Sequence, residues 1–220
     1  MHHYTSGFKS LFSQTAYENN DICRQSLGGV GISSHSLLPA IVNDYAPVAV
    51  FEGDNTVMAK QNVRYIQKKI KKSVNGKPAK GFFEYLNHFV ALCQAKSSAR
   101  SLEEFLNIDH LDECLAVRAA YWCNRVIPGI AESKESKKRI YNDIFGQDIV
   151  SLSKMHMSYL ALKIARDQID TQTFKDPNVK KLLELCVKVW CLNQLHKDSH
   201  ALYETGFFKP GTGDFIKQGL

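Results

Sequence analysis

The 220-residue sequence has no apolar run near the roughly 20 residues that span a bilayer. Its compact apolar stretch Leu37–Ile41 is interrupted at Pro39. It opens on no charged, apolar, then small pattern of the kind that marks a secretory leader. Its six cysteines show no CxxC spacing, which excludes a zinc ribbon or a redox motif, and its eight histidines show no HExxH or paired ligand spacing, so no metal site is expected. Strand-like alternation is absent apart from a short stretch around Val48–Phe51, expected to be extended. With only 13 Gly and 6 Pro, and with 44% apolar and 23% charged residues, the composition excludes a collagen-like or disordered chain. The length fits one large domain or two small ones with a real core.

Charge is not scarce but uneven. Lys and Arg exceed Asp and Glu by 28 to 22. Lys68, Lys69, Lys71, Lys72, Lys77 and Lys80 follow one another with no acid between them and alone equal the +6 net charge. They read as a solvated helix end, or as a surface for an anionic cofactor or lipid. No aromatic platform or arginine array accompanies them, which argues against nucleic acid.

What is present has the period of a helix. Leu115, Ala119, Trp122 and Val126 form one stripe, Tyr159, Leu162, Ala165 and Ile169 a second, and Leu182, Leu185, Cys186, Val189 and Leu192 a third. The class is all-α, a helical bundle. Helices are expected over about 6–27, 54–73, 82–95, 111–145, 151–170 and 177–203. Asp54 or Asn55 should cap the second, Pro128-Gly129 should kink or split the fourth, and Asp176-Pro177 should start the last. The turn cluster Asn75-Gly76-Lys77-Pro78 predicts a boundary between a unit over 1–74, with two long antiparallel helices, and a self-contained domain over 81–220. Scattered among apolar residues, the cysteines read as small buried hydrophobes.

Residues 23–58 are not ordinary helix. Gly28, Gly29 and Gly31 allow close approach of a backbone, although a helix C-cap would equally use the first two. Glu52 follows the apolar run Val48–Phe51 and precedes Gly53 and a helix start. Apolar neighbours raise a carboxylate's pKa and helix amides lower it, so Glu52 is a candidate general base, or else a first-turn acid favouring the helix dipole.

Phe51-Glu52-Gly53-Asp54-Asn55-Thr56-Val57-Met58 resembles the catalytic-glutamate motif of the acyl-CoA dehydrogenase and oxidase superfamily in its peroxisomal acyl-CoA oxidase form. Cys23-Arg24 through Gly28-Gly29-Val30-Gly31 resembles that family's Gly-rich flavin motif. Gly76-Lys77-Pro78 resembles its linker, and Met155-His156 with Tyr159, Leu162 and Lys163 a helix of its second C-terminal domain.

The resemblance implies an FAD-dependent α,β-dehydrogenation of fatty acyl-CoA in fatty acid β-oxidation, with O2 reduced to H2O2, in a peroxisomal homodimer. It makes Glu52 the base and the Glu52 N–H a donor to the thioester carbonyl. Phe51 and Gly53 then lie at the substrate, and Gln25, Gly28, Gly29, Asp54 and Thr56 at FAD. Family oxidases read Gly-Gly-His-Gly-Tyr where this chain has Val30 and Ile32. The family's N-terminal helical and β-barrel domains have no counterpart here, and the 81–220 domain is expected to be incomplete at its end. The chain is therefore expected to be a portion inactive alone that exposes Phe8, Leu11, Phe12, Val48 and Val50. Lys217-Gln218-Gly219-Leu220 does not match a Ser-Lys-Leu type address. The alternative is a non-catalytic helical scaffold of the same descent.

Overall fold

A computed structural model describes residues 2–220. Every regular element among them is helical, as the periodicity predicts. The chain divides into two compact units, Met1–Ile66 and Gln67–Leu220. The division falls inside a helix, upstream of the Asn75–Pro78 turn.

In the first unit, α1 (His2–Ser26) runs antiparallel to the first half of α3 (Asn55–Val74). The Asn62 amide donates to the His3 carbonyl at 3.3 Å, and the His3 ring stacks on Tyr65 at 4.1 Å. Further along α1, Ser10 Oγ donates to the Asn55 carbonyl at 2.8 Å. Between the two lie 3₁₀ turns at Gly28–Ile32, Ser34–Ser36 and Ala46–Ala49, and α2 (Leu38–Tyr45) with Pro39 in its first turn.

Val48–Phe51 is not extended. Pro47 presets a helical φ, and its carbonyl accepts from both Val50 N–H and Phe51 N–H at 2.9 Å. Leu11 is buried rather than exposed, because α2 and the flanking turns pack on α1. Phe8 and Val48 are half-buried, while Phe12 and Val50 are exposed. Tyr4, Phe8 and Phe12, spaced at i, i+4 and i+8, stack along one face of α1 with centroids 6.2 and 5.2 Å apart.

In the second unit, α6 (Ile108–Glu132) and α8 (Gly146–Thr171) pack lengthwise. Around them lie α4 (Phe89–Leu92), α5 (Leu102–Phe105), α7 (Lys137–Arg139), α9 (Pro177–Lys197), α10 (His200–Glu204) and α11 (Thr212–Gly219). Leu115, Ala119 and Val126 of α6 and Leu162 of α8 are buried as their stripes predict. Asp112 of α6 takes Lys163 of α8 at 3.2 Å, and Asp109 takes Arg166 at 2.6 Å.

Three expected helices differ. Residues 81–87 wind as a 3₁₀ helix and α4 is a single turn, because Asn87 exchanges two 2.8 Å bonds with the Ala79 backbone and so competes with helix. The helix expected over 111–145 starts earlier, where Asn107 caps α6, and runs unsplit through Pro128 to Glu132. Pro128 and Asn124 are both exposed, so water can serve the carbonyl that the proline leaves unpaired. Gly129 admits Phe145, whose ring would stand 2.5 Å from an added Cβ.

α9 starts at the Asp176 cap with Pro177 as predicted, and ends at Lys197 rather than 203. Arg118, fully buried on α6, terminates it: Nη1 donates to the carbonyls of Gln194 at 2.7 Å and Asp198 at 3.1 Å. Burial lowers the Arg118 pKa to about 10, against the raising effect of Asp198. α9 buries side chains only toward its C-terminal end, while near its start Lys180 reaches Asp170 of α8 at 3.6 Å. Cys191 and Leu192 are buried, whereas Leu182, Leu185, Cys186 and Val189, read as a core stripe, face solvent. The burial expected of the cysteines applies to Cys114, Cys123 and Cys191; Cys23 and Cys186 are exposed.

Candidate active site

The Glu52 segment is a turn held from beneath. Glu52 has φ 58° and Gly53 φ 104°, two successive left-handed residues. Glycine adopts this freely, whereas a glutamate is strained by about 1–3 kcal/mol. The surroundings must therefore impose the conformation, and a lysine from α1 does so. Lys9 Nζ donates to the Ala49 carbonyl at 3.1 Å, the Gly53 carbonyl at 2.6 Å and Asn55 Oδ1 at 2.9 Å. An ammonium has three N–H donors, and all three are used. Ser13 Oγ adds a 2.9 Å bond to Asn55 Oδ1.

Above this floor the Glu52 side chain is exposed, and Phe51 beside it is half-exposed at 50%. The Glu52 N–H has no hydrogen-bond partner among the described residues and is free to donate. Asp54 Oδ1 caps α3 by accepting from Thr56 N–H at 2.8 Å, and this bond is the main cause that lowers the Asp54 pKa. The turn thus offers a carboxylate, a free amide and an aromatic ring on a rigid support. That set can take a proton and hold a carbonyl oxygen.

The Gly-rich turn lies at the end of α1. Gly28 has φ 56°, and an added Cβ at Gly28 or Gly29 would meet nothing within 4 Å, so a planar group can approach that backbone. Gly31 differs: its Cβ would stand 1.8 Å from the Arg24 carbonyl, so its missing side chain seats the turn on α1. Gln25 is exposed and donates to Asp21 Oδ2 at 2.6 Å, and Arg24 pairs with Asp21 Oδ1 at 2.6 Å. Val30 and Ile32 are 62% and 72% exposed.

The structure brings Phe51, Glu52, Gly53, Asp54 and Thr56 into one turn and helix start, and Gln25, Gly28 and Gly29 into another. Lys9, Ser10 and Ser13 were not foreseen. Their signal is a lysine and two hydroxyls within one helical turn, which any solvated face could carry. Among the described residues no group of three or more His, Cys, Asp or Glu side chains could hold a metal. A cavity of about 210 Å³ in the second unit, lined by Arg166, Asp170, Glu184 and Lys188, contains none of the predicted site residues.

Comparison with known proteins matches two families: "Acyl-CoA oxidase, C-alpha1 domain" over residues 1–67 and "Acyl-CoA oxidase" over residues 107–220. Peroxisomal acyl-coenzyme A oxidase 1 of Phascolarctos cinereus is 28% identical over 225 residues, covering 100% of this chain and 32% of that protein. The Arabidopsis thaliana protein of the same name is 26% identical over 212 residues, covering 95% and 31%. The chain therefore spans about a third of the length of the curated relatives it matches. Among solved structures, Arabidopsis thaliana acyl-CoA oxidase 1 superposes with a TM-score of 0.90 at 24% identity over 100% of this chain and 33% of its own. Acyl-CoA oxidase-1 of Caenorhabditis elegans, complexed with FAD and ATP, superposes with a TM-score of 0.78 at 21% identity over 100% and 33%.

Proposed function

The chain belongs to the acyl-CoA oxidase family, and from that premise we propose that its first unit supplies the catalytic base for α,β-dehydrogenation of a fatty acyl-CoA. The observation that carries the reading is the exposed Glu52 carboxylate on a turn fixed by Lys9. In this reading a carboxylate oxygen of Glu52 takes the α-proton of the thioester. The free Glu52 N–H donates to the thioester carbonyl and stabilises the negative charge that develops there. Phe51 and Gly53 flank the reacting carbons. The α-proton goes to Glu52, the β-hydrogen leaves with its electron pair, and a trans-2-enoyl-CoA remains.

FAD, when bound, supplies the acceptor for that hydride and passes the electrons to O2 to give H2O2. The open backbone at Gly28 and Gly29 fits a flavin nucleotide. Gln25, Gly28, Gly29, Asp54 and Thr56 are the residues that would hold it, and we place the whole enzyme in the peroxisome as a homodimer. The isolated chain is proposed to be inactive.

The test joins residues 1–220 to the remaining two thirds of the Arabidopsis relative and follows flavin reduction by acyl-CoA without oxygen. Glu52→Gln should slow reduction by about 10²–10⁴-fold with FAD retained; reduction at the unaltered rate would refute the base. A scaffold without catalysis is the second reading. The exposed Val30 and Ile32 favour it, because they suit a protein surface better than a polar ring edge. On that reading no fusion restores flavin reduction.

A further inference from the structure

We propose that Lys9 is a positioning residue for the reaction: its ammonium fixes the backbone of the Glu52 turn and so aims the carboxylate. The inference rests on Glu52 being the base. Its evidence is the closed geometry around one nitrogen. Two of the acceptors, Ala49 O at 3.1 Å and Gly53 O at 2.6 Å, bracket residues 50–52, and the third, Asn55 Oδ1 at 2.9 Å, lies at the start of α3. The loop is thereby tied to α1 at its entry, at its exit and at the helix it feeds.

Two left-handed residues in succession, one of them a glutamate, do not hold themselves. The Gly53 carbonyl is the link. Its bond to Lys9 is the shortest of the three, and it belongs to the residue directly after Glu52, so it fixes the Gly53–Asp54 peptide plane on the far side of the left-handed Gly53. Asn55 Oδ1 accepts from Lys9 and shares the single Ser13 hydroxyl proton, at 2.9 Å, with the Lys9 carbonyl at 2.6 Å. The ammonium thus sits in a polar nest without a carboxylate among its hydrogen-bond acceptors. Its role is directional as much as electrostatic: three convergent donors on one atom, which a planar guanidinium cannot reproduce. A misplacement of about 1 Å at a reacting group costs about 10²-fold in rate, so a device that holds a strained turn matters to turnover.

The first test uses the 220-residue chain itself. In Lys9→Met, which keeps the stem and removes the donors, amide exchange in a peptide covering 47–56 should quicken by about tenfold or more, while peptides from α6 and α8 stay unchanged. Unchanged exchange over 47–56 would overturn the clamp. If Lys9→Met does not fold, amine acetylation of the unaltered chain decides instead. Lys9 should be modified at least about tenfold more slowly than the exposed Lys68 and Lys71, and equal rates would overturn it.

The second test is a double-mutant cycle in the fused enzyme. Lys9→Met should slow flavin reduction by about 10–100-fold when Glu52 is present and add nothing in Glu52→Gln, because Lys9 acts through Glu52. Equal slowing in both backgrounds would make Lys9 merely structural and sink the proposal. Glu52→Gln with normal flavin reduction would instead sink the base reading and leave the exchange result standing.

Discussion

Tyr85 Oη and His156 Nδ1 lie 2.6 Å apart in the interior of the second unit, and both side chains are buried. The pair joins the 3₁₀ segment Gly81–Asn87 to α8, with Tyr159 packed edge-on against Tyr85 at 4.9 Å. Tyr85→Phe keeps the ring and removes the hydroxyl, leaving Nδ1 without this partner. The expected cost is about 1–3 kcal/mol, read as a lower urea midpoint with an unchanged slope. An unaltered midpoint would show that the bond contributes nothing net.

A second prediction concerns alkaline pH. Burial raises the pKa of Tyr85 and Cys114 well above their usual values, pushes Cys123 and Cys191 up to about 12, and raises Tyr159. In the unfolded chain these thiols and phenols ionise near pH 9 and 10. Above those values the unfolded state has released protons that the folded state keeps. Stability is therefore full below about pH 8.5 and falls as pH rises, by up to about 1.4 kcal/mol per pH unit for each group. Arg118 acts in the opposite sense, but only above about pH 10. Urea midpoints at pH 7, 9 and 10 should decline in that order; a flat series would contradict the burial of the thiols.

The two loop glycines should part company. Gly31→Ala forces a Cβ against the Arg24 backbone and should destabilise the first unit by about 1–3 kcal/mol. Gly29→Ala meets no atom within 4 Å and should leave the melting temperature of the chain alone. In the fused enzyme Gly29→Ala should weaken FAD retention, because the added methyl occupies the side proposed for the cofactor. Equal melting effects at both positions would undo this division of roles.

Limited proteolysis addresses the domain boundary. The Asn75–Pro78 turn is exposed, whereas the Ile66–Gln67 division lies within α3. A protease needs an extended backbone, and the Lys77–Pro78 bond resists trypsin, so tryptic cleavage should begin after Lys80 and leave a stable C-terminal fragment. First cleavage within residues 60–70 would place the weak point inside the helix instead.

Much of this architecture was legible in the sequence because burial imposes a period. Leu115, Ala119 and Val126 have a continuous partner in α8 and obey the helical stripe. The stripe of α9 misled because periodicity reports an apolar face without reporting what covers it, and Leu182, Leu185 and Val189 are uncovered here. Pro128 is accommodated inside α6 because the carbonyl it leaves unpaired is open to solvent, and composition does not encode that access. At the candidate site the Phe51–Met58 motif marked the turn. Lys9 was invisible, since its three acceptors include two backbone carbonyls that only the folded turn brings together.

The Arg118 tie has a consequence for synthesis on the ribosome. Its two carbonyl acceptors lie 76 and 80 residues further along the chain. At a translation rate of roughly 5–20 residues per second, the guanidinium is made about 4–15 s before the first of them. Until then α6 cannot settle around it without stranding a charge. That face of the nascent helix is therefore expected to stay hydrated until the end of α9 emerges.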